Sequence, residues 1–421
     1  MSKKPFRFIL AVVFMAALAT SCGKDSEDEK EGEKDKPHTP LPNNTCTVTF
    51  IGENESTSTQ TILCGGEAKE PKKPPEKLEP GLYVGTPPAY RFDGWFADGA
   101  TVPFDFDTPI GADTSLRARW TLLSSSSTLV AEVAANNVAA AIEYVNATPG
   151  EYTLVLDADV EISNTQTLDR ADVQLTIVGA RQERSILANN LAAELFRIDK
   201  IDATLRLGKN ITLKQKNLIL GTAVQVNDGK LVMLDGSKIT GFTRAVSLAE
   251  SATSIRNFTM EGGEITGNKD SGNQYWRVGG IHVGGGSTFH MRGGRVSGNF
   301  SAFPTPDTPA DVFIGSSSAI AEITLSDKAV IGALSLRAMG GMQRPIITIG
   351  TTYSGEVSKL HLLGDPNHWT YSERAVIQAE TGTLTANDIA KFGLGEFRTE
   401  PGSPPISLNH EIAVSGFLVA K

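Results

Sequence analysis

Three near-copies of one short pattern constrain this chain more than anything else in it. Leu231-Val-Met233-Leu-Asp-Gly236-Ser-Lys-Ile239-Thr-Gly241 is followed by Phe258-Thr-Met260-Glu-Gly-Gly263-Glu-Ile265-Thr-Gly267-Asn268 and then by Phe289-His-Met291-Arg-Gly-Gly294-Arg-Val296-Ser-Gly298-Asn299. Weaker copies stand at Leu205-Arg-Leu207 and Ile323-Thr-Leu325, so the anchor positions 207, 233, 260, 291 and 325 are 26, 27, 31 and 34 residues apart. Short strands recurring at this spacing, with loops of unequal length between them, are what a parallel β-solenoid requires. Each turn then stacks about 4.8 Å above the last.

That geometry assigns roles to the repeated positions. Phe258/Met260 and Phe289/Met291 alternate inward, and glycines mark the bends. Asn268 and Asn299 hold equivalent turn positions, where stacked amides form a hydrogen-bonded ladder. Lys238, Glu264 and Arg295 also stack and read as a surface ion-pair row of small individual worth. Ahead of the first rung, Tyr152-Thr-Leu154-Val-Leu156, the residues Val138, Ala141, Ile142 and Val145 fall at helical spacing and Pro149-Gly150 ends the pattern. A helix over about 130–147 is therefore predicted to cap the open end of the coil. Thr385 to Phe392 is predicted as a short helix stopped by Gly393, and Ile412 to Val419 as a closing hairpin within a C-terminal cap over about 372–421. The arrangement resembles the right-handed parallel β-helix of the pectate-lyase-like superfamily over about 150–370. The whole β-helix domain is placed at 125–421.

The N-terminus carries a different signal. Lys3, Lys4 and Arg7 precede an apolar run from Phe8 to Ala19, then Thr20, Ser21 and Cys22. The run is too short for a membrane-crossing helix, which needs roughly 20 apolar residues, and fits a cleaved signal. The alternative is an ordinary secretory signal with an incidental cysteine. Residues 1–21 resemble a bacterial lipoprotein signal peptide, with Ala19 where the family prefers Leu. The resemblance implies lipidation of Cys22, and stable membrane attachment follows from two or more acyl chains. Residues 22–44 alternate acids and lysines and then turn to Pro and Asn, the composition of a disordered acidic tether. The acids after Cys22 resemble the surface-export signal of Bacteroidota lipoproteins, which implies outer-membrane anchoring with cell-surface display.

Between tether and solenoid lies a small aromatic-rich segment. Thr47-Val-Thr-Phe50, Tyr90-Arg-Phe92-Asp-Gly94-Trp95-Phe96, Pro103-Phe104-Asp105-Phe106 and Ile110-Gly-Ala-Asp113-Thr114-Ser-Leu116-Arg-Ala118-Arg-Trp120 resemble the Listeria–Bacteroides repeat, or internalin B-repeat. The resemblance covers 45–121 and implies a small β-grasp-like module of bacterial surface proteins; Ala68 to Pro88 is longer than the family pattern. Its aromatics supply the area a small core needs, although a carbohydrate-stacking platform uses the same residues. Cys46 and Cys64 flank two alternating runs that a hairpin turning near Glu55 sets opposite each other, as a cross-strand disulfide or as two small buried thiols.

The expected fold class is thus all-β: a small β-grasp-like module, then a right-handed parallel β-helix with an N-terminal capping helix. The formal net charge of −9 becomes −12 once 1–21 and their three positive charges are removed. Nucleic acid and anionic membrane surfaces are poor partners for such a chain.

Two places carry candidate chemistry. Asp157, Asp159 and Glu161, at a period of two on the first rung, offer a weak calcium site, against the simpler role of a charged edge that discourages aggregation. Tyr275, Trp276 and Arg277 in a long loop, beside His282 and His290, suit sugar or protein contacts, unless the loop folds back to cover the coil. Zinc lacks partners at ligand spacing, and no cofactor fingerprint or catalytic set is present. The sequence points to a non-enzymatic, lipid-anchored surface protein that binds a glycan or a host or matrix protein. A polysaccharide lyase or glycoside hydrolase on the same scaffold is the competing expectation.

Overall fold

The first four strands that pair outside the solenoid carry a disulfide and most of the aromatic residues near the N-terminus. The computed structural model describes residues 44–420 except 53–55, 73–76, 125–126, 218–220, 252, 254–255, 273–276, 304, 316–318, 339–344, 365–375, 399–409, 414 and 417. The signal stretch 1–21, Cys22, the tether to 43, Tyr275 and Trp276 lie outside the described residues. Strands β1 (Thr45–Ile51), β2 (Thr57–Leu63), β4 (Ala89–Ala97) and β5 (Thr114–Ser124) form a sheet of order β2-β1-β5-β4. β1 and β5 run parallel, β4 and β5 antiparallel. The alternation of β1 sends Cys46, Val48 and Phe50 inward, where they meet Trp95, Ile110 and Leu116. Phe50 packs edge-on to Trp95 at 5.0 Å between ring centroids, and Phe92 lies 5.0 Å from Trp120. The aromatics are therefore the core of this sheet, with Trp95 only 4% exposed. Gly94 adopts φ +128° at a register shift between β4 and β5, and a Cβ there would press on Pro103 at 3.0 Å. Cys46 and Cys64 are disulfide-bonded, with Cα atoms 5.0 Å apart.

The extra length between Ala68 and Pro88 has a structural use. It supplies β3 (Gly81–Val84), which pairs antiparallel with β6 (Thr128–Leu129) and with β7 (Gly150–Leu156), the first rung of the solenoid. Leu82 lies opposite Leu154 and is fully buried in the solenoid core. The first rung's exposed edge, which would otherwise recruit another strand, is thus covered by a strand from the N-terminal segment as well as by a helix. That helix, α1 (Val138–Ala147), buries Val138, Ala141, Ile142 and Val145. It starts eight residues later than the predicted 130–147 because Asn136 takes a left-handed φ of 60° and Asn137 caps the helix, accepting from the Ala140 N–H at 3.0 Å.

Beyond α1 the chain is a parallel β-solenoid of about seven turns. Each turn contributes strands to three faces. On the first face one column runs Leu207, Met233, Met260, Met291, Leu325 and Ile349, in unbroken register from strand to strand. Beside it stand Leu205, Leu231, Phe258, Phe289, Ile323 and Ile347, all buried. Phe258 and Phe289 stack at 4.9 Å with 12° between ring planes, so the rung spacing becomes an aromatic stacking distance. Leu213, Ile239, Ile265, Val296, Ile331 and Val357 form the equivalent column of the second face. On its outside Lys238, Glu264 and Arg295 are in register, and Lys238 lies 3.0 Å from Glu264. Both partners are more than a third exposed, so the pair contributes little.

The C-terminal part departs from expectation in one respect. The helix there, α2 (Ala386–Ile389), begins with a capping box between Thr385 and Asp388, but Phe392–Arg398 is a strand with Gly393 inside it. Phe392 continues the second-face column on Val357, and that inward demand outweighs the helical pattern. Strands His410–Ile412 and Leu418–Ala420 form the closing hairpin.

Phe289→Ala removes a fully buried ring from the middle of a stack. Its expected cost is about 3–5 kcal/mol, read as a lower urea midpoint for the variant than for the parent. An unchanged midpoint would contradict the stacked arrangement.

Candidate functional site

The unequal repeat intervals locate the site. The two longest, 31 and 34 residues, carry extra chain that leaves the coil just after Asn268 and just after Asn299. Both insertions emerge at the corner between the second and third faces. Their strands Lys269–Asp270, Phe300–Ser301 and Thr308–Pro309 join into a small three-stranded sheet, a flap beside the third face.

A buried polar ladder roots the flap. The side-chain amide of Asn268 donates to Asn299 Oδ1 at 2.8 Å, and that of Asn299 donates to Asp311 Oδ1 at 2.9 Å. Asp311 also accepts the backbone N–H groups of Asn299 and Ala333, each at 2.8 Å. The three residues are at most 1% exposed, so every bond they fail to make would carry a desolvation penalty. Burial pushes the Asp311 carboxyl up to about 6, against the opposing pull of the Asn299 and Ala333 donors. Close approach is built in, since a Cβ on Gly280 would lie 1.9 Å from the Asp311 carbonyl oxygen.

The third face presents its own outward column: Gln225, Ser247, His282, Phe313, Ser335 and His361. His282 lies flat on Phe313 at 5.3 Å. Burial, then the charge of Arg244, pushes His282 down to about 3, so it is neutral at ordinary pH. Asp270, 1% exposed, sits between two guanidinium groups, 3.3 Å from Arg244 and 3.8 Å from Arg277, and accepts the Gly272 N–H at 2.8 Å. Two cations share one carboxylate here. Burial holds Arg244 below the usual arginine range, partly offset by Asp270. Between flap and face is a cleft of about 30 Å³, lined by Arg277, Ser301, Phe303, Thr308, Ser335 and His361 among others. It admits a water or two or a small chemical group, and is far below the several hundred Å³ of a typical small-molecule pocket.

The structure thus brings Arg277 to the flap and separates the two histidines. His282 is on the third face, whereas His290 is on the first, between Thr259 and Thr324. The glycine corner at 284–286 turns the chain between them, so they serve no common site. Burial, then Arg292, lowers the His290 pKa.

The three acids of the first rung are also dispersed. The strand ends at Leu156, Asp157 and Asp159 occupy the corner, and Glu161 stands on the second face. Asp157 accepts from the Asn136 amide at 2.7 Å, Asp159 from the Ser185 N–H at 2.8 Å, and Glu161 from Asn189 at 3.0 Å and from Lys216. They tie neighbouring chain segments together, each with its own partner. Among the described residues no group of three or more His, Cys, Asp or Glu is placed to hold a metal ion.

Asp270, Arg244, Asp311, Phe313, Ser335 and His361 escaped the sequence reading. The lengthening intervals were the available signal, because extra residues at one corner of consecutive turns must project over the adjoining face. No family model, curated protein or solved structure matches the chain.

Below about pH 3 the Asp311 carboxyl is protonated in the folded and the unfolded chain alike. As the pH rises, the unfolded chain releases this proton first, so folded stability falls until the folded carboxyl ionises at about 6. Relative to Asp311→Asn, the parent is expected to lose about 3 kcal/mol between about pH 3 and 7, measured by urea denaturation across that range. Parallel pH profiles of parent and variant would contradict the assignment.

Proposed function

We propose that this is a lipid-anchored surface protein of the outer membrane whose solenoid acts as a non-enzymatic binding or adhesion module for a glycan or protein ligand. In this reading Cys22 is acylated after removal of residues 1–21, and the acidic tether to Asn44 carries the folded part away from the bilayer. The sheet built from residues 45–121, read as a Listeria–Bacteroides repeat module, stands at the base of a pectate-lyase-like coil. The observation that carries the proposal is the flap. Two consecutive turns extend the same corner and wall off a cleft on an otherwise regular face.

The chemistry of that cleft favours binding over turnover. Its lining offers a guanidinium, an imidazole, hydroxyls and the ring of Phe303. The carboxylate closest to Arg277, Asp270, is buried and shared between two arginines and a backbone N–H. A carboxylate so occupied is poorly placed as a general base or nucleophile. The polar donors and the aromatic edge are the groups that orient and grip a ligand.

Two measurements test this. Cells fed a palmitate analogue should label the parent chain, and Cys22→Ala should abolish the label; an unlabelled parent would remove the anchor from the proposal. In a screen of immobilised glycans and matrix proteins, the mature chain should bind, and Ser335→Trp, which fills the cleft, should weaken binding at least tenfold. Release of unsaturated sugars or new reducing ends by the parent, with or without calcium, would replace the binding module with an enzyme.

A further inference from the structure

We infer that the cleft is a subsite for a single tetrahedral oxyanion, a sulfate ester or phosphate monoester borne on the ligand, gripped by Arg277 together with the hydroxyls of Ser301 and Ser335. The inference rests on the cleft being the binding surface and adds the chemistry of what enters it.

Charge comes first. Arg244 and Arg277 face one buried carboxylate, so this trio carries one net positive charge in a chain whose formal net charge is −9. Arg244 is largely buried and holds Asp270 at 3.3 Å, whereas Arg277 stands off at 3.8 Å with its side chain 44% exposed and lines the cleft. The exposed member of the trio is therefore the one directed to a ligand.

Hydrogen-bond capacity comes second. Ser301 Oγ accepts the Phe303 N–H at 3.2 Å, which leaves its own proton to donate. Thr308 is different, because its hydroxyl already donates to the Thr305 carbonyl at 2.7 Å. Ser335 stands outward on the third face between Phe313 and His361. The donors consequently reach the cleft from three elements: the loop at Arg277, the flap at Ser301 and the solenoid face at Ser335. Donors that surround a point from three sides suit a group with three oxygens splayed about an axis. A planar carboxylate is met best by one bidentate guanidinium.

Size comes third. About 30 Å³ holds the head group and excludes a sugar ring, so the remainder of the ligand lies across the outer surface. The acidity of the whole chain opposes polyanions at long range, and only a local site of this kind retains one at about 0.15 M salt.

The test uses the mature chain on four matrices at about 0.15 M sodium chloride: dextran sulfate, phosphorylated dextran, carboxymethyl dextran and neutral dextran. Retention is expected on the sulfated or the phosphorylated matrix, and the stronger of the two identifies the group. Free inorganic sulfate or phosphate should compete at matched ionic strength. Arg277→Ala should weaken retention at least tenfold, Arg277→Lys should restore part of it, and Ser301→Ala should weaken it severalfold. Equal retention on carboxymethyl dextran, no retention on either oxyanion matrix, or full retention by Arg277→Ala would overturn the inference. If the matrices fail while Ser335→Trp still abolishes binding in the glycan and protein screen, the oxyanion is wrong and the binding module stands. If both fail, both fall.

Discussion

Parallel strands stacked in register put every residue of a turn directly on its counterpart in the next. This constraint governs the molecule. With rungs about 4.8 Å apart, an apolar residue is satisfied by an apolar neighbour above and below, and the columns of Leu, Met, Phe and Ile on the first face follow. A polar residue turned inward faces a harder condition. Its column must continue as partners until something terminates it, and the Asn268–Asn299 ladder ends on Asp311, which caps the last amide and takes the Ala333 N–H on its other oxygen.

The same constraint shapes the proposed binding site. The faces are regular and almost featureless, so recognition has to be built where the chain leaves the rung. It does so twice, at the same corner of adjacent turns, and the two excursions pair with each other. The buried ladder at their roots fixes the flap to the coil, and the flap sets Arg277 and Ser301 against Ser335 of the face. Asp270 divides the labour between its two arginines: buried Arg244 holds it, and Arg277 is left toward the cleft. In the proposed site, positioning and recognition would fall to neighbouring residues of one charge cluster.

Much of the scaffold was legible in the residues. The repeated Phe-x-Met and Gly-x-x-x-Gly-Asn signatures carry the rungs, the corners and the amide ladder, because each reports a local requirement that recurs turn after turn. The site was less legible because it consists of departures from the repeat. Asp311 arrives 12 residues after Asn299, from the far end of an insertion whose length no periodicity fixes. His282 and His290 are close in sequence and sit on different faces, since a three-glycine corner between them turns the chain. β3 was hidden for a related reason: its partner lies on β7, and nothing local in Gly81–Val84 announces pairing across so long an interval. The start of α1 is not legible in the apolar spacing, which marks a buried face and says little about the capping asparagines ahead of it.

Hydrogen–deuterium exchange on the mature chain, alone and saturated with dextran sulfate, tests most directly whether a rigid coil presents its ligand site at the flap. Slow exchange is expected along the stacked rungs in both states, with added protection confined to the flap strands around Ser301 and the third-face strand that carries Ser335. New protection on the N-terminal four-stranded sheet with none at the flap would contradict it.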